Sequence, residues 1–294
     1  MTESFNPTVS VIIPTYNAAN EIAELLDNLI IQRYPVHEIL VVDSESTDET
    51  VSICKKYDNV RIIGIKKADF DHGRTRDMAF RNSSGSVVVF LTQDCIPANA
   101  SFLEEIIAPL KDGKVALCSG RQLPKSNATE MERLVRSFNY PAESHIRSKE
   151  DLSVMGIKTF FCSDVCSAYN RKIYLQLGGF DYPLKTNEDM FFAAKAINSG
   201  YKIAYNANAQ VYHSHNFSLK QQYNRNYIQG YEIERHKEIL CGVQQTKEGK
   251  KLVRFVSNEL LKQGKLIAFI RFSFDCCARL FGSMAGKRKA RSES

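Results

Sequence analysis

Polar side chains follow three short apolar runs of this chain, and they are the first residues whose types and positions suggest chemistry. Asn17, Asp43 and Asp94 each come at the end of a run rich in β-branched residues. In an open α/β sheet, ligands bind beyond the carboxyl ends of the strands, so these side chains are expected along one sheet edge. A carboxylate there can accept hydrogen bonds from a nucleoside or hold a divalent cation. The alternative for Asp94 is that it caps the next helix, which is predicted to begin only after Pro97.

The elements that must position these residues alternate between buried strands and amphipathic helices. Strands are predicted at Val9–Ile13, Glu38–Asp43, Val60–Gly64 and from Val87 onward. Helical crossovers between them predict a doubly wound, mostly parallel α/β sheet. No GxGxxG follows the first strand and no GxxxxGK[ST] occurs, which excludes Rossmann dinucleotide and P-loop sites.

Later segments are less regular. Residues 144–158 are polar and are predicted to form a mobile loop, whereas 202–205 and 209–213 are predicted as two short strands. From Ser218 onward the chain is predicted to be helical to its end.

Composition and charge are those of a globular protein. Of 294 residues, 44% are hydrophobic and 24% are charged, and the net charge is +6. The body lacks basic patches with interleaved aromatic residues, so we expect no nucleic-acid partner. The eight cysteines, among them Cys241, form no CxxC pair. No signal peptide is evident and no segment reaches the ~18 apolar residues that span a bilayer, so we expect reduced thiols in a cytoplasmic protein.

An ordered set of motifs resembles family 2 glycosyltransferases with the GT-A fold. The motifs are Pro14-Thr15-Tyr16-Asn17, Val42–Thr50, Gly178–Asp181 and Glu188-Asp189. Three further segments resemble bacterial rhamnosyltransferases that build polysaccharide on a lipid carrier: Phe70–Arg76, Leu91–Asp94 and Val211–Asn216. The resemblance implies a GT-A domain over 1–217, with a nucleotide-binding half (1–95) and an acceptor-binding half (96–217). A helical C-terminal extension, 218–294, would follow.

The resemblance also implies which residues bind the sugar nucleotide: Pro14, Thr15, Asn17, Asp43, Arg76, Gln93 and Asp94. Asp94 would stand where the family has the metal aspartate of its DxD motif, but here Thr92-Gln93-Asp94 offers one carboxylate. We therefore expect another ligand, and His213 and His215 are the candidates because residues i and i+2 of a strand point the same way. The expected cofactor is Mn²⁺ or Mg²⁺, and imidazole with carboxylate suits Mn²⁺. Alternatively, His213 is a core histidine.

Asp189 resembles the family's catalytic base, and the resemblance implies transfer with inversion. The alternative is a capping acid at a helix start, where the helix dipole would lower its pKa. Glu188 and His72 are expected near the donor or acceptor sugar. Arg76 either contacts phosphate through its planar fork of donors or lies on a solvated helix face.

The function implied is metal-dependent transfer of rhamnose from dTDP-β-L-rhamnose to a lipid-linked saccharide in cell-surface polysaccharide synthesis. Two alternatives stay open. The donor could be a UDP-hexose or UDP-N-acetylhexosamine, or the chain could be a catalytically idle sugar-nucleotide-binding assembly subunit, a reading favoured by the single carboxylate.

The C-terminal helix carries a separate pattern. Arg271, Asp275 and Arg279 lie four residues apart on an otherwise apolar segment, and a basic cluster follows from Lys287. Such a helix can lie in a membrane interface, which would place the protein peripherally at the inner face of the cell membrane. The alternatives are packing on the core and a homodimer interface.

Overall fold

The computed structural model describes residues 5–240 and 246–293, without the side chains of Thr246 and Lys247. Cys241 and the predicted helical segment around it lie outside the described residues. The strands of the described part are β1 (Val9–Thr15), β2 (Glu38–Asp43), β3 (Val60–Gly64), β4 (Val87–Leu91), β5 (Ile96–Pro97), β6 (Val115–Leu123), β7 (His145–Arg147), β8 (Cys166–Asn170) and β9 (Lys202–Tyr212).

Eleven α-helices are present in the same residues. They are α1 (Ile22–Ile30), α2 (Thr50–Cys54), α3 (His72–Asn82), α4 (Phe102–Ile107), α5 (Glu130–Asn139), α6 (Leu152–Met155), α7 (Arg171–Gln176), α8 (Glu188–Asn198), α9 (Leu219–Arg235), α10 (Thr246–Lys262) and α11 (Leu266–Ser292). Short 3₁₀ turns occur at Lys67–Asp69, Ala108–Lys111, Lys149–Asp151 and Gly156–Phe160.

All nine strands belong to one sheet in the order β3-β2-β1-β4-β8-β6-β9-β5, and β7 also pairs with β9. Strands β1 to β4 are parallel, while β8 runs antiparallel to both β4 and β6. The first half is therefore the predicted wound sheet, and the second half adds the antiparallel strand β8 followed by the parallel pair β6 and β9.

The sheet is buried on both faces because the side chains of its strands alternate between two hydrophobic clusters. In β4, Val87, Val89 and Leu91 pack with α1 and α4 on one face. Val88 and Phe90 pack with α3, α7 and α8 on the other. This two-sided burial explains why the parallel strands are continuous apolar runs.

Two expectations for the second half are wrong. The two short strands predicted at 202–205 and 209–213 form the single strand β9. Its pairing with β6 continues across a bulge, where the residue paired with β6 changes from Asn206 to Gln210. The predicted loop 144–158 contains β7, α6 and two 3₁₀ turns instead. It is ordered around the buried Arg147, which donates hydrogen bonds to the carbonyl oxygens of Lys158 and Phe161.

The three C-terminal helices pack on each other and on α5. Met131 and Val135 of α5 share a cluster with Val256 and Leu260 of α10 and Phe272 of α11. Close contact between α9 and α11 depends on glycine: a Cβ on Gly286 would overlap the backbone of Tyr227. Within the described ranges, no helix is both long enough and apolar enough to cross a membrane. The division of the chain at residue 217 stays a prediction.

Candidate active site

The residues predicted to bind the nucleoside lie at the ends of β1 and β2, where hydrogen bonds join them. Pro14 and Thr15 pair with Val42 and Asp43 in the parallel ladder. The Thr15 hydroxyl donates to Asp43 Oδ1 over 3.1 Å, and the backbone N–H of Ser46 donates to Asp43 Oδ2 over 2.9 Å. The structure thus brings these residues together at one sheet edge, while nucleoside contact itself stays a prediction.

The turn after β1 is held by Asn17 and Gln93. Asn17 adopts a left-handed conformation (φ 49°), which asparagine tolerates better than most residues. Its side-chain oxygen accepts a hydrogen bond from Thr47 N over 2.9 Å. The Gln93 carboxamide oxygen accepts the Tyr16 N–H over 2.8 Å. Gln93 therefore supports the turn beside the predicted nucleotide site.

The candidate metal ligands converge as predicted. Asp94 Oδ2 lies 3.4 Å from His213 Nε2 and 3.3 Å from His215 Nε2. One ligand atom from each of the three residues lies within 4.8 Å of the others. Asp94 and His213 are distant in the chain, yet β9 returns beside β5 and brings them to the same sheet edge. Mutual distances of this size suit three atoms around one cation.

The protonation of His213 fits a metal ligand. Its Nδ1 lies 3.0 Å from Gln122 Oε1, which also accepts a hydrogen bond from Arg136. An arginine can only donate, so the atom facing His213 is the amide oxygen, and Nδ1 must carry the proton. Burial lowers the pKa of His213 to about 3, so the ring is neutral and Nε2 presents a lone pair beside Asp94. A ligand histidine held through its second nitrogen is the usual arrangement at metal sites.

Asp189 lies in the first turn of α8, a helix that begins at Glu188 directly after Asn187, whose φ is 65°. Asp189 Oδ2 accepts the Asp164 N–H over 3.1 Å, and Oδ1 accepts its neighbour Met190 N–H over 2.7 Å. We expected the helix dipole to lower its pKa, and that expectation is wrong. Burial and the charges of Glu188 and Asp164 raise the pKa of Asp189 well above the usual value. The carboxylate is therefore a stronger base than an exposed aspartate.

Arg76 does not lie on a solvated helix face, so that one of its two expected placements is wrong, while its contact with phosphate stays a prediction. Its guanidinium is buried, with Nη1 2.9 Å from Glu188 Oε1 and Nε 3.7 Å from Asp164 Oδ2. The strongly desolvated arginine balances the carboxylates around Asp189. Glu188 is buried in the same group, and burial, together with Asp164, raises its pKa even though Arg76 opposes the shift. We now interpret Arg76 as a positioning residue for this cluster.

His72 lies at the outer side of the same cluster. Arg76 Nη1 is 3.0 Å from His72 Nδ1, and because arginine only donates, Nδ1 is the acceptor. The neutral ring then carries its proton on Nε2. His72 is half-exposed, with 42% of its side chain accessible. It can therefore offer a hydrogen-bond donor to a ligand, and its contact with a sugar stays a prediction.

Asp164 and Gln122 are site residues that the sequence did not reveal. Asp164 is buried, accepts the hydroxyls of Ser167 and Tyr169, and holds Asp189 through its backbone. Gln122 donates to Ser163 Oγ over 3.0 Å, which joins the histidine cluster to the loop of Asp164. Neither stands in a recognisable motif. Only the antiparallel pairing of β6 with β8 brings them into the site.

Comparisons with known proteins agree with this geometry. Residues 10–178 match the family model of glycosyl transferase family 2. The O-antigen chain rhamnosyltransferase WbaN of Salmonella anatum is 42% identical over 229 residues, covering 76% of this chain and 71% of the relative. RfbN of Salmonella typhimurium, with the same description, is 39% identical over 223 residues, again covering 76% of this chain and 71% of the relative.

Solved structures show the same fold. The mannosyltransferase PcManGT of Pyrobaculum calidifontis, in complex with GDP-Man and Mn²⁺, superimposes with a TM-score of 0.68 at 18% identity, covering 96% of this chain and 88% of that one. Staphylococcus aureus TarS 1–349 with UDP-GlcNAc gives 0.60 at 17% identity, with coverages of 98% and 92%. The predicted GT-A fold with its C-terminal helices is thereby confirmed. The chain belongs to glycosyl transferase family 2 and is a glycosyltransferase.

Proposed function

We propose that this enzyme transfers rhamnose from dTDP-β-L-rhamnose to a lipid-linked saccharide during synthesis of a cell-surface polysaccharide, with Mn²⁺ or Mg²⁺ as cofactor. The two relatives described as O-antigen chain rhamnosyltransferases support the sugar and the pathway class. The observation that carries the proposal is the convergence of Asp94, His213 and His215 at the sheet edge that also holds Thr15 and Asp43.

Asp94, His213 and His215 would hold the cation. A divalent cation bound there offsets the negative charge that develops on a leaving diphosphate. The Mn²⁺ in the PcManGT complex supports this choice of ion. On the protein side, Gln122 keeps the Nε2 lone pair of His213 directed at Asp94, so the ligand set is ordered before an ion binds.

Asp189 would act as the general base. Its carboxylate removes the proton of the acceptor hydroxyl while that oxygen forms a bond to the anomeric carbon of the donor. The bond from that carbon to the diphosphate oxygen breaks, and the electron pair leaves with the nucleoside diphosphate. Attack from the opposite face inverts the centre, so a β-linked donor gives an α-linked rhamnoside. The raised pKa of Asp189 favours proton transfer to it.

Hydrolysis of donors by the purified protein tests the proposal. The chain is incubated with dTDP-rhamnose, UDP-hexoses and UDP-N-acetylhexosamines in Mn²⁺, and release of nucleoside diphosphate is measured. Hydrolysis confined to dTDP-rhamnose, abolished by EDTA and by Asp94→Asn, is expected. Turnover of UDP-sugars alone would contradict the rhamnose assignment, and binding without turnover of any donor or acceptor would favour the idle-subunit alternative.

A membrane location follows from a lipid-linked acceptor, and we extend the proposal to peripheral binding at the inner face of the cell membrane. The C-terminal helix α11 supports this because it carries exposed apolar side chains beside basic ones. Ile267 is 86% exposed and Phe274 60% exposed. The basic residues Arg288 and Lys289 follow on the same helix and are exposed.

A further inference from the structure

We propose that a cavity between α5, α9 and α11 binds a phosphate or diphosphate group carried by the saccharide acceptor. The inference rests on the proposed function, because it names the anionic class of acceptor that this transferase would use. The cavity has a volume of about 190 Å³. Pockets for whole drug-sized ligands measure ~300–1,000 Å³, so this space suits one group of a larger molecule.

Three arginines from three different helices line the cavity: Arg136 of α5, Arg225 of α9 and Arg279 of α11. Arg136 pairs with Glu132 over 2.6 Å, and Arg279 pairs with Asp275 over 2.5 Å. Arg225 forms no ion pair or hydrogen bond with any of the described residues.

Arg225 is placed for an anion that the chain itself does not supply. Its guanidinium lies 5.1 Å from the ring centre of Phe217, which fixes the plane of the group without using its donors. Partial burial and the charges of Arg136 and Arg279 lower the pKa of Arg225, although Tyr140 and Glu132 act in the opposite direction, so the arginines repel one another. A phosphate among them would relieve that repulsion, and guanidinium forks match phosphate oxygens in geometry.

The position of the cavity assigns it to the acceptor. His213, a candidate metal ligand, lines one side. Ser163 and Val165 line another, and Asp164 between them holds Asp189 through a hydrogen bond. An acceptor seated here therefore lies between the metal cluster and the general base. Tyr140 and Phe161, whose ring centres are 5.7 Å apart, offer the apolar faces against which a sugar ring can pack.

Matched acceptors test the inference. Hexoses joined to a short alkyl chain through a diphosphate are compared with the same hexoses as plain alkyl glycosides, at saturating dTDP-rhamnose and Mn²⁺. For each, kcat/KM is measured in the unchanged protein, Arg225→Gln, Arg225→Lys and the control Arg235→Gln. Arg235 lies on the same helix, is exposed and contacts Tyr231 rather than the cavity.

We expect the unchanged enzyme to prefer the diphosphate acceptor, and Arg225→Gln to reduce that preference about 10- to 100-fold, as for loss of a charge-assisted hydrogen bond. Arg225→Lys should retain part of the preference, and Arg235→Gln all of it. Equal use of both acceptor types, or a preference that Arg225→Gln leaves intact, would overturn the inference. Failure of the proposed function is distinguished by the unchanged enzyme, which would then not hydrolyse dTDP-rhamnose at all.

Discussion

Asp189 is the proposed general base, and its replacement has a defined expected effect. Asp189→Asn keeps the shape of the side chain and can still accept the Asp164 N–H. It cannot accept a proton, so we expect kcat for transfer to fall about 10²- to 10⁴-fold with little change in the KM for donor. Steady-state kinetics measure both constants. Asp58→Asn, in an exposed turn, is the control, and an Asp189→Asn enzyme of normal kcat would remove Asp189 from the mechanism.

The environment of Asp189 predicts the pH dependence. The base must be ionised, and burial with the charges of Glu188 and Asp164 raises its pKa. Protonation, and loss of kcat/KM, should therefore begin at a higher pH than for an exposed aspartate, whose pKa is about 3.9. Glu188→Gln removes one like charge and should move this acid limb to lower pH.

Rate profiles at saturating Mn²⁺, repeated at a second Mn²⁺ concentration, separate this acid limb from protonation of the candidate ligands His213 and His215. Cys162, Tyr169 and Arg76 are the other titratable or charged groups close to the carboxylate cluster. An acid limb near pH 4, or one that Glu188→Gln moves upward, would contradict the assignment.

Gln122 has a separate role that metal titration can isolate. Its amide oxygen holds His213 through Nδ1. Gln122→Leu removes that contact while leaving Asp94, His213 and His215 in place, so we expect Mn²⁺ affinity to fall about 10- to 100-fold. Calorimetric titration of Mn²⁺ measures the change. Gln221→Leu, at the start of α9, is the control, and unaltered Mn²⁺ binding by Gln122→Leu would show that the contact between Gln122 and His213 does not support cation binding.

At the scale of elements, close packing of α9 on α11 predicts a strong effect of a single methyl group. A Cβ on Gly286 would overlap the carbonyl oxygen of Tyr227, which is backbone and cannot move aside cheaply. Gly286→Ala should therefore lower the free energy of unfolding by about 1–3 kcal/mol. In α10, a Cβ on Gly249 would meet open space, so Gly249→Ala should add about 0.5–1 kcal/mol. Urea unfolding of both variants and of the unchanged protein measures these changes. Equal unfolding midpoints for Gly286→Ala and the unchanged protein would refute close packing of α9 on α11.

The strands and loops differ in how well the sequence alone predicts them. Strands β2 and β3 were predicted at their observed ends because each is a short apolar run between turn residues. The bulge in β9 and the order of residues 144–158 depend on pairing with β6 and on burial of Arg147, so neighbouring residues could not reveal them. Strand direction brought His213 and His215 to the site, but both lie just beyond the end of β9 at Tyr212, so the expected shared face of a strand is not the reason that they converge.

Other site residues needed the three-dimensional packing. The helical pattern of α3 marks Arg76 as a surface or phosphate-binding residue. Only the approach of Asp164 and Glu188 from other elements explains its burial. The pKa of Asp189 is raised, and not lowered as was expected, for the same reason. A helix N-terminus stabilises a carboxylate, but two further carboxylates and burial outweigh that field.

At the scale of the whole molecule, α11 combines two surfaces. Asp275, predicted on a polar stripe, is buried and pairs with the half-buried Arg279, whereas Arg271 of the same stripe is exposed, so only part of the predicted stripe faces the protein. The opposite side carries an exposed apolar stripe, consisting of Ile267, Ile270, Phe274, Phe281 and Met284. Apolar side chains that lie beside a basic helix end suit an anionic membrane surface, where each basic residue contributes about 1 kcal/mol.

Vesicle binding tests this membrane contact. The protein is expected to sediment with vesicles that contain phosphatidylglycerol and much less with pure phosphatidylcholine. The double variant Ile270→Glu/Phe274→Glu should lose binding because it places two charges within the apolar stripe. Val154→Glu is the control, since Val154 is 83% exposed on α6, away from α11. The membrane contact is wrong if the unchanged protein does not bind the vesicles and sedimentation velocity shows that it is a dimer. The double variant would then be a monomer. The stripe would then be the contact between two copies of the chain.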